Sequence, residues 1–135
     1  MDKRHYVFVY GTLRKDDCNH NLLKNAACIA NHCWTEGKLF DSLHGYPFLV
    51  QSNDCRVVGE LYLVDDAQLS DLDRLEDYYG YGKDNLYDRV EQVVHTDTGN
   101  YHAFVYVLPD NKNSKNMKLI ENGDWILYKV LFGGA

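Results

Sequence analysis

The sequence predicts an α+β fold, a small and mostly antiparallel or mixed β-barrel with a few helices outside it. Six short segments rich in Val, Tyr, Phe and Leu are bounded by Gly, Asn, Asp or Pro, as is typical of strands joined by tight turns. Only one strong helix interrupts them, which favours an antiparallel sheet or barrel. With 135 residues, 45% of them hydrophobic, the chain has the size and apolar content of a single domain, 1–135.

The predicted strands are short. They cover, in chain order, residues 6–10, 34–41, 48–51, 56–64, 87–95 and 101–108. The first half of segment 34–41 alternates poorly between apolar and polar residues, so its pattern is the least regular. Between the last two strands the sequence predicts a hairpin connection, because Gly99 and Asn100 can both take a positive φ.

One helix is predicted between the fourth and fifth strands, over residues 66–77. Asp65 or Asp66 can cap its N-terminus, where an acidic side chain also suits the helix dipole. At 100° per residue, Leu72 lies in the middle of an apolar stripe along this helix. A shorter helix is predicted to begin at Trp125, behind an aspartate N-cap.

Glu76 is the most informative single residue. It follows Leu69 by seven positions, so its side chain projects within about 20° of Leu69, inside the apolar stripe. A carboxylate at such a place is either a structural acid paired with a nearby arginine, for which Arg89 is a candidate, or a general acid/base whose pKa is raised by desolvation. The residues alone leave both interpretations open.

The first strand ends abruptly in Tyr10, Gly11, Thr12 and Leu13. A strand that ends in a turn leaves consecutive N–H groups without ladder partners, and Gly11 has no Cβ to keep a ligand from the backbone. Such a nest of donors can hold a carboxylate, or a carbonyl oxygen on which charge develops. The alternative is that Gly11 only permits a tight turn.

The charge balance argues against nucleic acid as a partner. The net charge is −6, and the 14 Lys and Arg residues are scattered along the chain. Binding to a phosphate backbone depends instead on clustered basic side chains that release counterions.

Neither a membrane segment nor a metal site is predicted. No apolar run approaches the ~20 residues of a membrane span, and no secretory signal is recognisable at the N-terminus. We therefore expect a cytoplasmic protein whose four cysteines are free thiols. Cys28, His32 and Cys33 lie close together, but they lack a second ligand pair at zinc spacing.

Several short motifs together resemble the γ-glutamylcyclotransferase-like (AIG2-like) family. In chain order they are VYGTLR at 9–14, Gly37-x-Leu39-Phe40, Tyr46-Pro47, VGELY at 58–62, Leu72-Asp73-x-x-Glu76 and Tyr87-x-Arg89. The matching elements run from residue 7 to residue 94, with weaker support from Tyr106 and from Gly-Asp-Trp at 123–125. No single motif is decisive, but their order and spacing are quite specific.

The resemblance implies a small β-barrel with flanking helices, whose cavity holds a γ-glutamyl group. It also implies that the free α-amine of this group attacks its own γ-carbonyl, which closes 5-oxoproline and releases an amine or amino acid. By the same resemblance Glu76 is the acid/base residue, and the turn of Tyr10, Gly11, Thr12 and Leu13 holds the glutamyl moiety. No cofactor is required.

Two further residues are candidates for substrate binding, Tyr87 and Arg89, because they alternate with Asp88 and would share one strand face. An ion pair from Arg89 to an acidic residue is the alternative.

A non-catalytic member that binds a small carboxylated metabolite in the same cavity is the second function class. The leaving group and the oligomeric state are left open.

The sequence departs from the family pattern after Glu76. Relatives commonly have Gly at the next position, whereas this chain has Asp77 followed by a tyrosine-rich segment, 78–81. Asp77 either raises the pKa of Glu76 or points to water, since adjacent helical positions diverge by about 100°.

Overall fold

The structure, a computed structural model, describes residues 3–132. The strands are β1 (Arg4–Val9), β2 (Ala27–Glu36), β3 (Lys38–Asp41), β4 (Pro47–Val50), β5 (Arg56–Asp65), β6 (Asp88–Thr96), β7 (Gly99–Val107) and β8 (Lys118–Ile120). The α-helices are α1 (Asp66–Leu75) and α2 (Trp125–Phe132), and a short 3-10 helix covers His20–Leu23.

Five of the strands close into a barrel in the order β1, β5, β2, β6, β7. Neighbouring strands run antiparallel except at the closure, where β1 and β7 are parallel with Val7 opposite Phe104. The barrel is therefore mixed, and the predicted α+β barrel is confirmed.

A second, three-stranded antiparallel sheet in the order β4, β3, β8 lies beside the barrel. The predicted strand 34–41 is wrong as a single element, because the chain leaves the barrel at Gly37, whose N–H donates to the Cys55 carbonyl at 3.0 Å. Strand β2 also begins earlier than predicted. Register shifts between Cys28 and Cys33 disturb the alternation of its side chains, so the sequence pattern does not indicate its first half as a strand. Strand β8 is three residues long, too short for its pattern to be recognised.

The two faces of β1 bury different parts of the core. Phe8 packs with Leu61 and Val105 in the barrel interior, whereas Val7 and Val9 pack in a second cluster with Leu72 of α1. Leu72, predicted as the centre of the helical stripe, is fully buried. Because α1 and the end of β1 share this second cluster, the residues that follow each element lie near one another.

Both helices begin at aspartate caps, as predicted. Asp65 Oδ1 accepts from the Gln68 N–H at 2.8 Å, and Gln68 Oε1 accepts from the Asp65 N–H at 2.8 Å, which forms a capping box. Asp124 Oδ1 accepts from the Leu127 N–H at 3.1 Å at the start of α2. No helix within residues 3–132 is long and apolar enough to cross a membrane.

Helix α1 ends two residues earlier than predicted, so that Glu76 is its C-cap. The next residue, Asp77, has a left-handed φ of 51°. The Tyr78 N–H donates to the Asp73 carbonyl at 2.9 Å and the Asp77 N–H to the Arg74 carbonyl at 3.3 Å. This is the Schellman arrangement, in which glycine is the usual left-handed residue. Asp77 thus stands where a glycine would carry no steric strain.

This strain predicts that Asp77→Gly raises the free energy of unfolding by about 0.5–1 kcal/mol, because glycine adopts a positive φ without cost. Urea denaturation measures the change. The matched control is Asp71→Gly, an exposed position inside α1, where glycine is expected to lower stability instead. Loss of stability in both variants would contradict the prediction.

Candidate active site

A narrow pocket, here the inner pocket, lies between the end of β1 and the end of α1. Its volume is about 30 Å³. It is lined by Phe8, Val9, Tyr10, Gly11, Thr12, Leu13, Pro47, Glu76, Tyr87 and Tyr106. The structure therefore brings together six of the seven residues predicted for the site, and Arg89 is the one outside this lining.

A wider groove, here the outer groove, adjoins the inner pocket and has a volume of about 230 Å³. The two share Thr12, Glu76 and Tyr87. The rest of the groove is formed by Cys18, Asn19, Gly45, Tyr46, Leu75 and Leu86. Glu76 thus stands at the junction of a narrow inner space and a larger outer one.

In the turn after β1, the carbonyl groups and the N–H groups differ in their hydrogen bonding. The Gly11 carbonyl accepts from the Arg14 N–H at 3.0 Å, and the Thr12 carbonyl accepts from the Asn19 N–H at 2.9 Å. The Leu13 carbonyl lies 3.0 Å from His20 Nδ1. Within residues 3–132, by contrast, the N–H groups of these three turn residues donate to no backbone or side-chain acceptor. Three residues that line the inner pocket therefore have unpaired N–H groups, which is the condition for a nest.

Gly11 has a packing reason of its own. A Cβ on this residue would lie 2.8 Å from Pro47 Cγ, closer than carbon atoms approach without displacement. Its φ is not in the left-handed region, so the turn itself does not demand glycine. The close approach of the Pro47 ring, which neither interpretation from the sequence included, requires a residue without a side chain here.

Three tyrosines wall the inner pocket, and their hydroxyls are all engaged. Tyr10 donates to the Tyr106 carbonyl at 2.6 Å and accepts from the Leu49 N–H at 3.0 Å. Tyr87 donates to the Pro47 carbonyl at 2.6 Å. Burial raises the pKa of all three, Tyr10, Tyr87 and Tyr106, so they remain neutral.

The third of these hydroxyls belongs to a network of which the sequence indicated one part, the alternative of an ion pair between Arg89 and an acidic residue. Tyr106 donates to Asp73 Oδ1 at 2.6 Å, and Arg89 Nη1 donates to Asp73 Oδ2 at 2.6 Å. Asp73 is only 23% exposed and joins the pocket wall to Arg89. Arg89 also lies over the rings of Tyr78 and Phe104.

The carboxyl group of Glu76 differs from that of Asp73 in its partners. Among residues 3–132, no hydrogen bond or ion pair reaches its carboxyl group. The interpretation of Glu76 as a structural acid paired with Arg89 is therefore wrong, because the guanidinium is held by Asp73. What remains is a half-buried carboxyl group that faces the cavity without a partner.

Two causes raise the pKa of Glu76 to about 8: first its burial, then the negative charge of Asp77. Both expectations for Asp77 hold in part. Its side chain is exposed and accepts from the Tyr79 hydroxyl at 3.0 Å, yet its charge still acts on its neighbour. A carboxyl group with such a pKa can give up or take a proton near neutral pH.

Within the described part of the chain, no group of three or more His, Cys, Asp or Glu side chains is arranged to hold a metal ion. The four cysteines are free thiols, with Cys33 buried and the others exposed.

Solved structures share this fold. YkqA from Bacillus subtilis superposes with a TM-score of 0.76 at 31% identity, over 96% of this chain but only 42% of that protein. An AIG2-like protein from Mus musculus superposes with a TM-score of 0.65 at 25% identity, over 86% of this chain and 95% of that one. This chain therefore spans less than half of YkqA and nearly all of the mouse protein.

The two sequence relatives described next are named as a γ-glutamyl cyclotransferase or as a member of that family. The γ-L-glutamyl-butirosin B γ-glutamyl cyclotransferase of Niallia circulans is 35% identical over 125 residues, which is 92% of this chain and 77% of that protein. The γ-glutamylcyclotransferase family protein YtfP of Escherichia coli is 33% identical over 120 residues, 89% of this chain and 95% of that protein.

The family model described as γ-glutamyl cyclotransferase, AIG2-like, matches residues 7–127. Since this match covers most of the 135 residues, the chain belongs to the γ-glutamyl cyclotransferase, AIG2-like family.

Proposed function

We propose that the protein cyclises a γ-glutamyl group to 5-oxoproline and releases the attached amine or amino acid, with Glu76 as the general acid/base. The observation that carries this proposal is the meeting of an unpartnered carboxyl group, Glu76, with the unpaired N–H groups of Gly11, Thr12 and Leu13. The carboxyl group is suited to transferring a proton, and the N–H groups are suited to binding an oxygen that carries or develops negative charge.

The reaction begins with the removal of a proton. The α-ammonium group of the substrate cannot attack until it loses a proton, which the carboxylate form of Glu76 accepts. The α-nitrogen then forms a bond to the γ-carbonyl carbon, and negative charge develops on the carbonyl oxygen. Donors preorganised in the turn stabilise such charge more than water does, because they need no reorientation.

The second step breaks the bond between the γ-carbon and the leaving nitrogen. The tetrahedral intermediate re-forms its carbonyl as Glu76 returns its proton to the departing nitrogen. The ring nitrogen still carries two protons, and the Glu76 carboxylate passes one of them to the released amine, which leaves protonated. The products are 5-oxoproline and a free amine, so no water or cofactor is consumed. Because nucleophile and electrophile belong to one molecule, holding the folded conformer contributes up to several kcal/mol to the lowering of the barrier.

The two spaces beside Glu76 suggest how the substrate lies. The reacting γ-carbonyl belongs at the junction, where Thr12, Glu76 and Tyr87 contribute to both the inner pocket and the outer groove. The inner pocket, with a volume of about 30 Å³, admits an oxygen of the glutamyl group beside the turn and Tyr10, and the rest of the substrate, including the leaving group, occupies the wider groove. In this proposal Arg89 acts on the pocket through Asp73 and Tyr106 rather than by touching the substrate.

The names of the relatives support a γ-glutamyl group as the part that is recognised. The Niallia circulans relative is named for γ-L-glutamyl-butirosin B. The leaving group of this chain's substrate is determined by the outer groove, and a substrate panel is required to identify it.

The first experiment is release of 5-oxoproline from a panel of γ-glutamyl amines, γ-glutamyl dipeptides and γ-glutamyl-lysine isopeptide. Release from at least one class supports the proposal and identifies the leaving group. No release from any member, together with a ligand-induced rise in melting temperature, would favour the non-catalytic binding protein instead.

Glu76→Gln is predicted to lower the rate of 5-oxoproline release by at least about two orders of magnitude, because the amide cannot transfer the proton. Circular dichroism and melting temperature should show an intact fold. The matched control is Glu91→Gln, an exposed position on β6, which should retain full activity. Near-wild-type turnover by Glu76→Gln would remove Glu76 from the mechanism.

The raised pKa of Glu76 also predicts a dependence of stability on pH. An unfolded glutamate loses its proton near pH 4.3, whereas folded Glu76 keeps its proton to about 8. Between these values the folded state binds more protons, so rising pH lowers the free energy of unfolding, by up to about 1 kcal/mol per pH unit.

Urea denaturation of wild type and Glu76→Gln at intervals from pH 5 to pH 9 measures this contribution as the difference between the two curves. The stability of the variant relative to wild type should grow through the window and level off above about pH 8. Asp77→Asn should lower the pKa of folded Glu76, so that the stability difference levels off at a lower pH. A difference that does not vary with pH would show that Glu76 titrates normally.

A further inference from the structure

An ion pair that the reaction does not use lies beneath the turn of the inner pocket. Arg14 and Glu60 are 9% and 4% exposed, and Arg14 Nε donates to Glu60 Oε2 at 3.0 Å. Buried ion pairs contribute little net stability, because the loss of hydration offsets their attraction. Stability alone therefore gives no reason for two charges at this place.

Glu60 also holds the backbone where the turn ends. Its Oε1 atom accepts from the Lys15 N–H at 2.9 Å and from the Tyr62 hydroxyl at 2.8 Å. In the ladder of β1 and β5, Glu60 is paired with Val9, the last residue of β1. Glu60 is thus paired through its backbone with the residue before the turn, and its carboxylate binds the two residues that follow the turn, Arg14 and Lys15.

Arg14 connects the same turn to a second element. Its backbone N–H closes the turn on the Gly11 carbonyl at 3.0 Å. Its Nη1 atom donates at 2.8 Å to Asp124 Oδ1, the cap of α2. The planar guanidinium therefore binds two carboxylates in different directions, which a lysine ammonium cannot reproduce in the same geometry.

We propose that Arg14 and Glu60 are positioning residues of the inner pocket, whose ion pair holds the turn in the conformation that keeps the N–H groups of Gly11, Thr12 and Leu13 unpaired. The inference rests on the proposed function, since it assigns these donors to the glutamyl group. A short turn with unpaired donors has other conformations in which those donors bind acceptors. Fixing its exit by a buried carboxylate and a two-directional guanidinium excludes them.

The test compares Arg14→Lys with wild type in two assays, steady-state release of 5-oxoproline and binding of 5-oxoproline followed by the amide resonances of Gly11–Leu13. We expect kcat/KM to fall at least about tenfold, with most of the loss in kcat, because small displacements of oriented groups are costly to rate. The dissociation constant for 5-oxoproline should rise at least about tenfold. Glu60→Gln, which retains an acceptor for Lys15 and Tyr62, should show the same two changes.

The matched control is Arg74→Lys, the same substitution in the exposed ion pair with Asp71, which should leave both assays unchanged. If Arg14→Lys and Glu60→Gln lose only melting temperature, with kcat and the dissociation constant as in wild type, the positioning role is overturned and the pair is structural. If wild type binds 5-oxoproline through Gly11–Leu13 without turnover and the variants bind it more weakly, the inference stands and the proposed function fails. Absence of binding and turnover in wild type would overturn both.

Discussion

The pairing of β1 between β5 and β7 is the constraint on which the candidate site depends. The ladder with β5 ends at Val9 and Glu60, so the backbone beyond Val9 has no strand partner. Close packing fixes this end, since a Cβ on Gly59 would overlap the Val9 carbonyl oxygen. The turn that follows is thereby both anchored and left with unpaired N–H groups. The opposite face of β1 packs in the cluster that contains Leu72, which brings the end of α1 to the same place.

The electrostatics of the site follow from which polar groups find partners. Asp73 receives both Arg89 and Tyr106, so its charge is balanced inside the protein. Glu76, three residues later, receives neither, and its desolvation is left uncompensated. The three tyrosine hydroxyls of the pocket wall are turned to other acceptors. An unpaired carboxyl group with a raised pKa arises here because its neighbours already have partners, and the negative charge of Asp77 adds to the rise in pKa.

The sequence predicted much of this site and little of what supports it. The sequence indicated Glu76 because an acidic residue inside an apolar stripe contradicts the helical pattern. It indicated the turn at Gly11 because the first strand ends abruptly there. Pro47, Tyr106 and the Arg14–Glu60 pair were not predicted as parts of the site. Each acts through a partner far along the chain: Arg14 is separated from Glu60 by 46 residues and Tyr106 from Asp73 by 33. Local patterns contain no information about such contacts.

By itself the sequence determined what local physics can fix: most of the strands, the caps of both helices, the hairpin between β6 and β7, and the motifs that identify the family. The tertiary structure alone decided how the barrel closes, where the chain leaves it at Gly37, and where α1 ends. It also decided that Arg89 binds Asp73 and leaves Glu76 unpaired. Backbone propensity and hydrophobic period act over a few residues, whereas the partner of a buried charge is chosen by the packing of the whole chain.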